Sequence, residues 1–237
     1  MIEHELDIPT RDGLMNTFVT YPEEGGPHPV VFFYMDAPGK REELHDMARR
    51  LATAGYYVIL PNLYYRSTRA FDFTAHPRRV MFGLMATLTI DLVMSDTESL
   101  FGHVDADPSA DARRVGCVGY CMSGPFSFAV AGTFPDRIKA AASVYGVNLC
   151  GDGSPAHLSS AVQGELYFAC AEFDDYAPTE MIHALQAHLA EAGTNARVEW
   201  YPGVHHGFAF PLRPVYDKPS AERHWERLHS LFRRNLS

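Results

Sequence analysis

What most constrains this chain is an alternation. Short runs rich in β-branched and aromatic residues are separated by stretches of helical periodicity. The runs lie at 29–34, 56–60, 114–120, 140–145, 165–170 and 197–201. They are apolar almost throughout, as strands covered on both faces are, and the helical stretches supply the crossovers that parallel strands need. The predicted class is α/β, with a mostly parallel central sheet flanked by helices on both faces. Helices are predicted over 42–54, where Leu44, Met47, Ala48 and Leu51 form a stripe and Gly55 a stop. Two more are predicted over 179–192, ending at Gly193, and over 221–232.

At 237 residues the chain fits one large α/β domain, 1–237, and its 46% hydrophobic and 21% charged content is ordinary globular usage. A formal charge of -9 excludes a phosphate-backbone partner, since that requires a concentrated basic surface. The amino terminus, Met1-Ile2-Glu3-His4-Glu5-Leu6, carries acids where an export signal needs a basic segment followed by an apolar one. Residues 80–94 are interrupted by Asp91 and fall short of the ~20 apolar residues a membrane span requires, so a buried helix is predicted there. Cys117, Cys121, Cys150 and Cys170 show no paired spacing, which predicts reduced thiols in a cytoplasmic protein and neither metal nor cofactor. The connection 62–77, rich in aromatics and holding Tyr65 and Arg66, is long enough to suggest one wall of a pocket, whereas 150–163 reads as a surface excursion.

The chemistry is concentrated in Gly119-Tyr120-Cys121-Met122-Ser123-Gly124, which follows a predicted strand and precedes a predicted helix. A nucleophile on a strained strand-to-helix turn needs small residues two before and two after it, here Gly119 and Ser123. Centring the turn on Ser123 would put Pro125 at a small-residue position, so Cys121 is the better apex. A helix N-terminus also favours the thiolate. A thiol needs a base and a group to orient that base. Asp174 and Asp175 follow one predicted strand and His205 and His206 follow another, at the carboxyl ends where open α/β sheets bind ligands.

The elbow resembles the Gly-Tyr-Cys-(Leu/Met)-(Gly/Ser)-Gly segment of the dienelactone hydrolase family, of the α/β-hydrolase superfamily. The resemblance covers most of the chain. Asp174-Asp175-Tyr176-Ala177-Pro178 resembles the family's Asp-x-x-x-Pro segment and selects Asp174, while His206-Gly207-Phe208-Ala209 resembles its histidine segment and selects His206. The resemblance further implies an acid at Asp36 that modulates the cysteine, where the family has glutamate, and an oxyanion hole from the amides of Ala37 and Met122. Arg66 and Tyr65 lie in a stretch resembling the family's Pro-Asp-Leu-Tyr-x-Arg, and Tyr145 matches a pocket residue. Phe210 stands where the family places a carboxylate-binding arginine, and Arg213 is near enough in sequence to replace it.

The implied activity is cysteine-dependent hydrolysis of a small-molecule ester or lactone by a Cys-His-Asp triad, of carboxymethylenebutenolidase type. Three alternatives share parts of the pattern. A general carboxylesterase of neutral esters would suit Phe210; a cysteine amidase or glutaminase shares the Gly-x-Cys-x-Gly turn but places His-x-Glu in the base segment; a non-catalytic binding module would leave the triad pattern unexplained.

Overall fold

All six apolar runs are strands, and two further strands precede them. The computed structural model describes residues 1–237 and divides into two units, Met1–Val115 and Gly116–Ser237.

The first unit opens with β1 (Ile2–Thr10) and β2 (Gly13–Tyr21), an antiparallel hairpin absent from the expectations above. β1 is an edge strand with most of its side chains exposed, so it has no apolar run to reveal it. β2 pairs antiparallel with β4 (Tyr57–Pro61), which pairs parallel with β3 (His28–Tyr34). The strand order is β1-β2-β4-β3-β5, with β5 covering Ala110–Tyr120. Helix α1 (Glu42–Ala52) makes the crossover from β3 to β4, burying Leu44, Met47, Ala48 and Leu51 as predicted, and Gly55 follows at φ +103°.

Residues 80–94 do not form the one buried helix expected. Helix α2 (Arg78–Met85) buries no residue, and α3 (Ile90–Ala106) starts afresh at a 75° bend. The restart has a local cause: the Thr89 hydroxyl accepts from the Leu92 amide at 3.2 Å, capping a new helix. No single helix of the chain is long and apolar enough to cross a membrane.

In the second unit the order runs β5-β6-β7-β8, with β6 (Ile138–Val144), β7 (Glu165–Phe173) and β8 (Ala196–His205) all parallel. Helix α4 (Gly124–Thr133) buries every residue from Gly124 to Gly132. Helix α5 (Thr179–Glu191) buries Ile182, Leu185 and Leu189, and α6 (Lys218–Asn235) closes the chain. The segment 150–163 is more than a surface excursion. Its 3-10 turn, Pro155–Ala161, buries three residues and seats Leu158 so tightly on α4 that a Cβ at Gly132 would lie 2.5 Å from it. Behind β8, the buried Glu199 carboxylate accepts from Tyr167 at 2.8 Å, Arg223 at 2.5 Å and Arg227 at 3.1 Å, the pairing that a buried charge requires.

The start of α6 is fixed by Asp217, whose carboxylate accepts from the Ser220 amide at 2.9 Å. Asp217→Ala should cost about 1 kcal/mol and lower the thermal midpoint by about 2–4 °C; an unchanged midpoint in scanning calorimetry would show the cap to be idle.

Candidate active site

The elbow forms because residue 119 has no side chain. A Cβ there would stand 2.0 Å from the Ser123 carbonyl oxygen, so the chain can turn back over itself only at glycine. The turn puts Cys121 at φ +55°, a left-handed conformation that a side-chain-bearing residue adopts only under constraint. A 3-10 turn, Cys121–Ser123, leads directly into α4, so Cys121 stands at the start of that helix, with Met122 first after it. Cys121 is partly exposed. Cys117 and Cys170 are buried, and burial raises both thiols, Cys170 to about 12 with Asp174 adding to the effect.

The position of the His206 imidazole comes from sheet register. Strands β7 and β8 pair in parallel, with an irregularity after Ala171 that brings Phe173 opposite His205. The next residues on each strand, Asp174 and His206, are thereby neighbours. His206 Nδ1 bonds Asp174 Oδ2 at 2.8 Å, and Oδ1 accepts from the amides of Tyr176 at 2.9 Å and Ala177 at 3.0 Å. Both carboxylate oxygens are therefore engaged, one as a turn-former and one as the partner of the ring. Of the competing residues, His205 stays on the strand with its ring exposed against Phe173, and Asp175 is exposed.

His206 lies between two tyrosine rings, Tyr145 and Tyr176, each with its centroid 5.0 Å away. Nε2 is buried without a hydrogen-bond partner, yet the ring feels Cys121. Burial opposes the imidazolium, but Asp174 and Cys121 outweigh it and carry the ring up to about 9. Tyr145 reaches the histidine because residue 145 itself has φ +40° at the end of β6.

Residues 15–236 match the family model described as "Dienelactone hydrolase family". The chain belongs to the dienelactone hydrolase family. It is accordingly a hydrolase with the α/β-hydrolase fold. The Methylorubrum extorquens protein named "Putative carboxymethylenebutenolidase" is 28% identical over 239 aligned positions, 98% of this chain and 81% of that one. The Rhodococcus opacus "Carboxymethylenebutenolidase" is 26% identical over 198 positions, 81% and 75% of the two chains. The crystal structure of a Klebsiella pneumoniae protein, described as "Putative Dienelactone Hydrolase", superposes with a TM-score of 0.90 at 25% identity, covering 98% of both chains.

Several residues expected around the substrate have other contacts in this chain. Arg66 gives its guanidinium to Asp12 at 2.7 Å and to Asp96 at 2.7 and 2.8 Å, and stacks on Tyr65. The Tyr65 hydroxyl is taken by Thr10 at 2.7 Å and Asp96 at 2.8 Å. The arginine and tyrosine are thus a structural knot of the first unit, because two carboxylates saturate the guanidinium fork that a substrate anion would need. Asp36 is fully buried, and Arg41 holds its carboxylate at 2.5 and 3.3 Å. Ala37 is buried beside it, its carbonyl accepting from Tyr64 at 2.8 Å.

Phe210 is fully buried, against Tyr120 at 5.3 Å and Tyr145 at 6.1 Å, so it belongs to the core beneath the histidine loop. Arg213 is brought to that loop. Its guanidinium covers the Phe210 ring at 4.9 Å and packs on Gly207, the residue after His206, where a Cβ would meet it at 3.0 Å. Tyr176, more than half exposed, was not among the expected residues; an aromatic two positions after the acid on a strand-end loop is the signal that marks it.

A histidine raised to about 9 contributes stability that is full below its ordinary value of 6.5 and is lost as pH rises through about 9. The His206 ring followed by nitrogen NMR should accordingly remain doubly protonated at neutrality and titrate near 9. A midpoint at or below 6.5 would contradict this electrostatic account.

Proposed function

We propose that the chain hydrolyses a small-molecule ester or lactone through the thiolate of Cys121, with His206 as acid and base and Asp174 as its orienting partner. The observation that carries this reading is the His206 ring, fixed at 2.8 Å on Asp174 and held charged partly by the Cys121 sulfur. In the resting state the imidazolium faces the Cys121 sulfur. The sulfur attacks the carbonyl carbon, the carbonyl π electrons move to oxygen, and the Met122 amide at the helix start supports the oxyanion. Collapse expels the alkoxide, which takes the proton from His206 and leaves a thioester on Cys121. Neutral His206 then draws a proton from water as it attacks the thioester carbon. The acid departs and the thiolate–imidazolium pair is restored.

Cys121→Ala should lower hydrolysis of an activated aryl ester by ~10⁴-fold or more with the fold intact by circular dichroism. Retention of the wild-type rate by that variant would end the reading. Because expulsion of the alkoxide needs the imidazolium, kcat should also fall as pH rises through about 9.

The substrate's charge is the finer point. Arg66 is tied to two carboxylates, whereas Arg213 packs beside Gly207, the residue after His206, a place from which a guanidinium can meet a substrate carboxylate. The second reading, a carboxylesterase of neutral esters, is favoured by Phe210 and by the tyrosine rings around His206. An anionic lactone compared with neutral aryl esters, in wild type and in Arg213→Ala, separates the two. A KM for the lactone raised about tenfold in the variant, with the neutral esters unaffected, supports the anion site. Preference for neutral esters that Arg213→Ala leaves untouched supports the carboxylesterase.

A further inference from the structure

The residue before Cys121, Tyr120, is the last residue of β5 and is fully buried, yet its hydroxyl meets a polar atom. That atom is Nε2 of His224, at 3.0 Å, on the closing helix. The other ring nitrogen, Nδ1, lies 2.5 Å from the Ala221 carbonyl oxygen. A carbonyl only accepts, so Nδ1 donates; Nε2 of the neutral ring is then the acceptor, and the Tyr120 hydroxyl donates to it. The result is a directed chain, Tyr120 to His224 to Ala221, in a cluster otherwise made of aromatic rings. Tyr145, Phe210 and His224 surround the Tyr120 ring at 6.0, 5.3 and 5.9 Å, and Phe208 and Trp225 flank His224 at 6.4 and 4.8 Å.

Filling space does not require these atoms. A phenylalanine at 120 facing an apolar side chain at 224 would occupy the same volume and strand no polar group. What the hydrogen-bonded pair adds is direction. β5 ends in the elbow that carries Cys121, whereas α6 is the continuation of the His206 loop, anchored to it where the Asp217 amide donates to the Phe208 carbonyl at 3.1 Å. The Tyr120–His224 bond therefore joins the segment that holds the sulfur to the segment that holds the imidazole.

We infer that His224 is a positioning residue: through Tyr120 it sets the tilt of the nucleophile elbow relative to the His206 loop, and so the alignment of the Cys121 sulfur with His206. The inference rests on the reading of Cys121 as nucleophile. It assigns His224 no contact with substrate and no proton transfer. Nearly all of its effect should fall on reactivity at the sulfur, because small misplacements of reacting groups carry large rate costs.

The test uses the full chain with Tyr120→Phe, His224→Phe and His224→Gln. Four quantities are read: kcat and KM on a neutral aryl ester, the thermal midpoint, and the pH dependence of iodoacetamide alkylation at Cys121, resolved from the other cysteines by peptide mass spectrometry. Tyr120→Phe and His224→Phe should each lower kcat by about tenfold or more while KM stays within about twofold. Both should move the alkylation midpoint of Cys121 to higher pH, since a misaligned imidazole supports the thiolate less well. The side-chain carbonyl of His224→Gln accepts the same hydroxyl and should restore the midpoint and most of kcat. Lowered thermal midpoints with kcat and the Cys121 profile unchanged would overturn the inference and leave packing as the whole role. If His224→Phe does not fold, Tyr120→Phe removes the same bond by deleting one oxygen and decides the matter alone. Full activity in Cys121→Ala would instead overturn the nucleophile reading, a result that none of the His224 outcomes can mimic.

Discussion

A carbonyl oxygen occupies the place where a side chain at position 119 would stand, and the second unit is arranged around that fact. With glycine there, β5 can reverse sharply into α4, and Cys121 is left at the apex in a left-handed conformation that solvent alone would not sustain. The same crowding recurs one turn later. A Cβ at Gly124 would lie 2.3 Å from the Gly146 Cα, so the start of α4 and the end of β6 approach at backbone distance. That approach places Tyr145, itself at positive φ, against the His206 ring. Cys121, the Tyr145 ring and His206 are therefore connected through steric exclusions more than through any one attractive contact.

Electrostatics then separates acids that look alike. Asp36 and Asp174 lie just beyond strand ends and Asp96 within α3, and each carboxylate has a partner chosen by its own surroundings. Asp36 meets Arg41, whose guanidinium is held above its ordinary value: burial opposes the charge, and Asp36 and Glu43 outweigh it. Asp96 meets Arg66 and the Tyr65 hydroxyl. Asp174 meets an imidazole, and here compensation is incomplete in a useful way, because the ring's second nitrogen remains buried and free of a hydrogen bond while responding to a sulfur. A guanidinium keeps its charge at any working pH, whereas an imidazole can surrender it, so only the third arrangement can move a proton.

How much of this was legible follows from how far each signal is local. The apolar runs marked six strands because strands covered on both faces repeat no polar residue. The stripe Leu44, Met47, Ala48 and Leu51 marked α1 for the same reason of burial. Strand ends were less visible: β7 runs on to Phe173 and β8 to His205, past exposed residues such as Glu172 and Gly203 that break the apolar pattern. Those extensions are what bring residues 174 and 206 side by side. The hairpin β1–β2 was hidden because its edge strand faces solvent, and the break between α2 and α3 because a Thr89 cap is a single hydroxyl in an apolar stretch. The engagement of Arg66 was hidden because ion pairs across 30 and 54 residues of sequence leave no trace in its neighbours.

The sequence by itself determined the class of fold, the elbow and the identity of its cysteine, since these depend on steric limits and periodicities within a few residues. With a family resemblance it also singled out Asp174 and His206 from the acids and histidines beside them. Only the tertiary structure decided which charges were already spent, where Arg213 and Tyr176 stand against the histidine loop, and that His224 lies behind Tyr120. Those outcomes turn on the meeting of side chains far apart in the chain. The energy of an ion pair or a buried hydrogen bond depends on distance and desolvation in three dimensions, and neither quantity is written in the order of residues.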